Sequence, residues 1–385
     1  MLLAGAFPML TRQGTAMVES NRLLPPAAGP RAYLGVQYAR AAAALGVLLF
    51  HAAQRAGVDF AAGARGVDLF FVISGFIMWT ISTRQHRSPG QFLRARAERI
   101  VPLYWLATLF MVAAAFAGLF PTLRQELSWS HVLQSLAFIP HFSPGSGQIW
   151  PVLVPGWTLV FEMIFYLVFA AGLALPPRVR LALLTSLFIG LVVAGAIFKP
   201  SDAIGLTITN PLVLEFVAGV WLAVLLRGRH APPPAFALPL VGLGAAVLLF
   251  VPFWGGLAER LACLAGATLC IAGAVSLDLR GATPNFRLPK FLGDASYSTY
   301  LWHGVAVSVA GVFGARLGLQ PSAIIAVAVI GGLVAGAVSY LLIERPLGRL
   351  IEAGRSGARR GAAFSGVAER APAKVDRSSS AHSLQ

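Results

Sequence analysis

Between residues 34 and 343 the chain returns again and again to apolar runs of about twenty residues, and most of the charge lies in the gaps between them. About twenty apolar residues are what a helix needs to cross the hydrocarbon core of a bilayer. These runs are too long and too many for a soluble core. Charged residues make up 12% of the chain, against a usual value of about 25%, and apolar residues 57%. Mean hydropathy is +0.73. The pattern predicts an all-α, polytopic membrane protein with about ten transmembrane helices. They are expected near 34–53, 66–82, 100–119, 156–175, 180–198, 210–226, 235–253, 259–278, 293–314 and 321–343. The segment 120–155, rich in Pro, Ser and Gly, reads as an external loop that is partly re-entrant.

A net charge of +15 would suit nucleic-acid binding in a soluble protein. In a membrane protein the question is where the positive charge lies, because Lys and Arg accumulate in cytoplasmic loops. With ten spans and both termini cytoplasmic, 24 of the 30 basic residues fall inside. With both tails and the boundary residue Arg40 set aside, the loops still divide twelve inside to six outside. Charge therefore reads as topology, and no nucleic-acid partner is expected. Residues 1–32 read as a flexible cytoplasmic extension, 33–350 as the transmembrane domain and 351–385 as a disordered basic tail. Met1–Leu10 is apolar but short and lacks a preceding basic region, so it does not read as a cleavable signal. Cys263 and Cys270 lie in one apolar segment and read as packing residues, with neither disulfide nor metal spacing.

The ionisable residues inside spans are the candidates for chemistry, since each is costly in lipid and faces a bundle interior or a watery cavity. Arg40 and His51 share the first span. Eleven helical steps put them on one face, roughly 16 Å apart along the axis. They make a polar track through the bilayer; the plainer alternative is a snorkelling Arg40 and a packed His51. The basic stretch beyond the second span carries Arg94, Arg96 and Arg99, leading to Tyr104 and Trp105. Arg96 and Arg99 share a face if the segment is helical, and guanidinium forks grip phosphates. An anionic-lipid anchor would look the same. Glu162 lies a little over one turn below the outer end of the fourth span, where a carboxylate demands a partner or water. Residues 293–303 bring Ser296, Tyr300, Trp302 and His303 to the ninth span, where they either line a polar cavity or bond between helices. A histidine in the outer half and an arginine face on the inner side suit transfer of a group from inside to outside. A proton-coupled solute or glycolipid transporter would use the same ingredients.

These residues carry a resemblance to a known family. Arg40 and His51, the segment Gly66–Phe76 with Asp68 and Ser74, and Arg96-Ala-Glu-Arg99 before Pro102-Leu-Tyr104-Trp105 occur in order. Trp157–Tyr166 with Glu162, Ser296–His303 with Tyr300, and Glu344-Arg345-Pro346 follow. The chain resembles the acyltransferase-3 family of integral-membrane acyltransferases, in particular members that acylate bacterial exopolysaccharides. The resemblance implies an enzyme of the bacterial cytoplasmic membrane that uses acyl-CoA as a donor substrate and binds no permanent cofactor or metal. Its acceptor would be a hydroxyl of an exopolysaccharide, surface glycan or lipid-linked sugar, with acetyl or succinyl as the group moved. It assigns His51 and Arg40 to the transfer centre, with Glu162 beside them, and Arg94, Arg96, Arg99 and Tyr104 to the donor region. Asp68, Ser74, Tyr166, Tyr300 and His303 are the expected polar cavity. No hydrolase-like domain follows the last span, so a second transfer step on this chain is not expected.

Overall fold

The computed structural model describes residues 33–85, 87–226 and 231–354, and these are helical with no β-strand among them. The expected extension 1–32 and all but the first four residues of the expected tail lie outside the described residues; those four, 351–354, are helical rather than irregular. Fourteen α-helices are used below: α1 Leu34–Arg55, α2 Gly66–Arg84, α3 Pro89–Phe116, α4 Pro121–Glu126, α5 Trp129–Leu136, α6 Gly156–Gly172 and α7 Pro177–Phe198. The remainder are α8 Ala203–Ile208, α9 Val213–Leu225, α10 Pro234–Phe250, α11 Gly256–Leu279, α12 Arg287–Asp294, α13 Ser296–Arg316 and α14 Pro321–Ser339. Seven helical stretches are long and apolar enough to cross a membrane, and α6 and α10 are shorter apolar helices. The most apolar of the seven, α7, is also the least buried. Phe198, Phe250, Ile330 and Leu342 are among many large apolar side chains left exposed. That surface suits lipid and not water.

Backbone approach, made possible by glycine, fixes the bundle. α2 and α9 cross where Gly75 faces the Phe216 carbonyl and Gly219 faces that of Val72; an added Cβ would lie 2.0 Å from either oxygen. Small residues at such crossings replace the missing hydrophobic drive between helices in lipid. An aromatic stack fills the interior around this crossing, with Phe216 4.5 Å from Phe71 and 4.6 Å from Phe165, centroid to centroid. The first amides of α1, which have no partner within the helix, are capped from another helix. Gly35 N donates to Asp278 Oδ1 at 2.8 Å, so the end of α11 satisfies donors that α1 cannot.

The third span starts earlier than expected. Ser88 accepts from Gln91 N while the Gln91 side chain accepts from Ser88 N, a capping box followed by Pro89 at the first helical position. The basic stretch is therefore the first three turns of α3, continuous with the membrane segment. At the other end, the expected span 293–314 divides at Ala295 into α12 and α13. The last span runs through a π turn at Tyr340–Glu344 and on to residue 354. π turns recur at functional sites because they re-aim side chains.

The loop 120–155 holds α4 and α5 and is tied inward. Tyr104 Oη donates to the Ser135 carbonyl at 3.0 Å and Trp105 Nε1 to that of Leu136 at 2.9 Å. Gly156 packs on the Tyr104 ring, so α6 begins at the level of Tyr104. Twelve residues of α3 lie beyond that level, about 18 Å along its axis.

Candidate functional site

Arg40 sits on the second turn of α1 and directs Nε to Ser296 Oγ, at 3.1 Å, on the first turn of α13. From there a cavity of about 450 Å³ opens between α1, α2, α3, α6 and α13. Its charged lining is Arg40, Arg96, Arg99 and Glu162, with Arg84 also on its wall. Glu162 is held in place by hydroxyls. Ser74 Oγ donates to its Oε1 at 2.8 Å, and Tyr166, one turn further along α6, donates to the same oxygen. The carboxylate is thus oriented by two neutral donors and leaves its second oxygen to the cavity. Arg96 Nε is buried and has no hydrogen-bond partner among the described residues. A buried donor left without an acceptor is costly, and a site for an anion is a place where that cost is recovered.

A second cavity of about 400 Å³ lies on the other side of the arginines, lined by Arg87, Asp294, Glu344, Arg345 and Glu352 among others. Gln37, Arg40, Arg96 and Arg99 line both cavities. The three guanidinium groups therefore form the shared wall between an outer chamber and an inner one. The π turn brings Glu344 into the outer chamber, where its Oε2 accepts from Ser298 Oγ at 2.6 Å.

At the opposite end of the inner chamber stands Tyr300. Thr158 donates to the Pro155 carbonyl at 3.1 Å, so the 2.9 Å contact between Thr158 Oγ1 and Tyr300 Oη has the phenol as its donor. Beyond Tyr300 lie the two histidines. His303 Nδ1 donates to the Tyr300 carbonyl at 2.5 Å, and its ring stacks on His51 at 5.2 Å. His303 Nε2 is buried with no partner among the described residues. Neither histidine lines the inner chamber, whereas Arg40 and Tyr300 both do.

The structure brings Arg40, Ser74, Arg96, Arg99, Glu162, Tyr166 and Tyr300 to one cavity, and His51 and His303 to each other. It does not bring Asp68, Arg94 or Tyr104 there. Asp68 is buried on another face of α2, opposite Glu215 of α9. Arg94 points to solvent and pairs with Glu98 at 2.8 Å, one turn along the same helix. Tyr104 is fully buried, with its hydroxyl spent on Ser135 and its ring 4.7 Å from that of Phe138. Thr158 and Gln37, which sequence reasoning missed, also belong to the inner chamber, as does Tyr297. Tyr297 lies within the polar run 293–303, the one available signal for it.

The sequence profile of the acyltransferase-3 family, described as an acyltransferase domain, matches residues 33–344, which takes in every wall of the inner chamber and the arginine wall itself. The chain belongs to this family. This acyltransferase is 48% identical to the exopolysaccharide production protein ExoZ of Rhizobium meliloti, over 80% of this chain and 99% of that one. The putative membrane-bound transacylase BcsY of Komagataeibacter xylinus is 29% identical over 78% of each chain. The O-acetyltransferase OatA of Staphylococcus aureus is 23% identical over 83% of this chain and 57% of that one. No solved structure matches the acyltransferase.

Proposed function

We propose that this acyltransferase moves an acyl group, acetyl or succinyl, from acyl-CoA on the cytoplasmic side to a hydroxyl of an exopolysaccharide or its lipid-linked precursor. The observation that carries the reading is the shared arginine wall. Arg40, Arg96 and Arg99 border both chambers, so an anionic donor lying in the outer one extends its acyl end past them into the inner one. Coenzyme A is such a donor, with phosphates at one end and a thioester on a long neutral arm at the other. Guanidinium forks suit its phosphates bidentately. The topology that goes with this reading has ten spans in the bacterial cytoplasmic membrane. They are the seven long helical stretches, the shorter α6 and α10, and α13, with both termini on the arginine side.

In this reading the acceptor hydroxyl approaches from the histidine side, where Tyr300 lines the chamber and its carbonyl holds His303. His51 takes the hydroxyl proton as the oxygen attacks the thioester carbon. A C–O bond forms, the carbonyl electrons collect on oxygen, and the Tyr300 O–H exchanges Thr158 for that charge. The electrons return, the C–S bond breaks, and the departing thiolate takes the proton that His51 received, which restores the neutral imidazole. Glu162, fixed by Ser74 and Tyr166, offsets one of the three cations and so orients Arg40 and Arg96. Membranes containing the protein, supplied with radiolabelled acetyl-CoA or succinyl-CoA, should pass label to polysaccharide as an alkali-labile ester. Absence of ester with both donors would contradict the reading; uptake of solute without ester formation would favour a transporter.

A further inference from the structure

A third cavity, of about 340 Å³, lies behind α6 on the side away from the inner chamber. α6 is the partition. Thr158, Glu162 and Tyr166 face the inner chamber, while Trp157, Val160 and Phe161 face this cavity. Its remaining walls are Ser135 of α5, the 139–151 segment, and the end of α8 with the turn after it, with Trp150, Gln148, His141, Thr207 and Asn210 among them. The volume sits at the small end of the range for small-molecule sites.

Its chemistry is specific. Among the described residues no Lys, Arg, Asp or Glu lines it, so it offers nothing to a phosphate, a carboxylate or an ammonium group. Two indoles supply flat apolar surface: Trp150 is 39% exposed, and Trp157 is braced by Phe161 edge-on at 5.8 Å. The polar groups are neutral, and their unused valences can be counted. Asn210 Oδ1 accepts from Leu212 N at 3.0 Å, which leaves its NH₂ for a ligand. Thr207 donates to the Ala203 carbonyl at 2.7 Å, so its oxygen remains an acceptor. The exposed Gln148 amide can both donate and accept. His141 is fully spent: Nδ1 donates to the Ile139 carbonyl at 2.7 Å, and Nε2 accepts from His131 Nδ1 at 2.8 Å. The cavity therefore binds and does not exchange protons.

It is also built in advance. The His131–His141 bond, Ser143 N to the Gln148 carbonyl at 2.8 Å, and Val152 N to Ser135 Oγ at 3.0 Å tie the loop to itself and to α5. A site fixed before its ligand arrives loses less entropy on binding. Flat aromatic surface with a rim of neutral donors and acceptors matches the two faces of a pyranose ring. Its C–H face buries on indole while its hydroxyls bond to amides.

We infer that this cavity is a glycan subsite that stacks an uncharged sugar unit on Trp150 and Trp157, bonds it to Asn210 and Gln148, and so holds the acceptor chain beside the transfer centre. The inference rests on the acyltransferase reading for its ligand. Since α6 separates the cavity from Glu162 and Tyr300, the bound unit is a neighbour of the acylated one and not the acylated one itself.

The test uses the full chain in nanodiscs and the host's own exopolysaccharide, stripped of esters and cut to oligosaccharides. Saturation-transfer NMR and tryptophan fluorescence report binding. Wild type should bind, Trp150→Ala and Asn210→Ala should each weaken binding at least tenfold, and Trp150→Phe should retain most of it. An unaltered thermal melt for Trp150→Ala separates ligand loss from misfolding, whereas Asn210→Ala also gives up the bond from Leu212 N and should melt slightly lower. No binding by wild type, or equal binding by Trp150→Ala and Asn210→Ala, would overturn the subsite whether or not ester is formed. Trp150-dependent binding without ester formation would leave the subsite standing and remove the acyltransferase reading.

Discussion

The imidazoles of His51 and His303 stack with centroids 5.2 Å apart and planes inclined by 29°, across the junction of α1 and α13. His303 is anchored through Nδ1 to the Tyr300 carbonyl. Its orientation is therefore set by the backbone, and His51 is positioned against a fixed ring. His51→Ala should leave the protein inserted and folded while abolishing transfer, because the acceptor hydroxyl loses its base. His303→Gln keeps a donor for the Tyr300 carbonyl and should cost less. Ester formation in membranes at matched expression checks both; near wild-type transfer by His51→Ala would contradict its role.

Tyr300 lines the inner chamber, and its hydroxyl bonds to Thr158. Tyr300→Phe preserves the ring and removes that bond, worth about 0.5–1.5 kcal/mol of stability. If the O–H also meets the developing oxyanion, kcat should fall about a hundredfold with little change in KM. A variant with the expected melt and an unchanged kcat would restrict Tyr300 to packing.

Arg40 and His51 are legible in the sequence as one polar face of one helix, and both lie on α1. The same spacing also separates them by about three turns, so Arg40 lines the inner chamber and His51 does not, and no local pattern announces that. Asp68 groups with Ser74 in the sequence because they share a motif. Yet α2 is apolar nearly all round, so the motif does not say which polar residue faces which neighbour. The basic turns of α3 look like a loop in the sequence because Pro89 and Pro102 resemble breakers; Pro89 instead starts the helix. Arg40 meets Ser296 across 256 residues, a pairing that only the packed bundle reveals.

The α2–α9 crossing tolerates no side chain. Gly75→Leu or Gly219→Val would drive a Cβ to 2.0 Å from a backbone oxygen, where nothing flexible can yield. Overpacking of this kind costs about 1–3 kcal/mol or more. The measurement is the melting temperature in detergent, expected to drop for both, while Gly242→Ala, with open space at its Cβ, should melt like wild type.

Burial, and next to it the neighbouring His141, holds His131 down to a pKa of about 4 from an ordinary 6.5. The unfolded chain binds this proton more readily than the folded one, so stability is intact above pH 6.5 and declines as pH falls towards about 4. Melts across that window should show a loss that His131→Gln flattens. An equal decline in the variant would assign the pH dependence elsewhere.

The arginine wall is the feature on which donor binding turns, and the donor's Michaelis constant tests it most directly. Lys keeps the charge and the topology signal but lacks the planar fork. Removing one charge-assisted hydrogen bond costs on the order of 1.5–3 kcal/mol, a change in affinity of about tenfold or more. Arg96→Lys and Arg99→Lys should each raise KM for acyl-CoA about tenfold, whereas Arg94→Lys, on the solvent face with Glu98, should leave it unchanged. Wild-type KM values in both wall variants would contradict a donor held at these arginines.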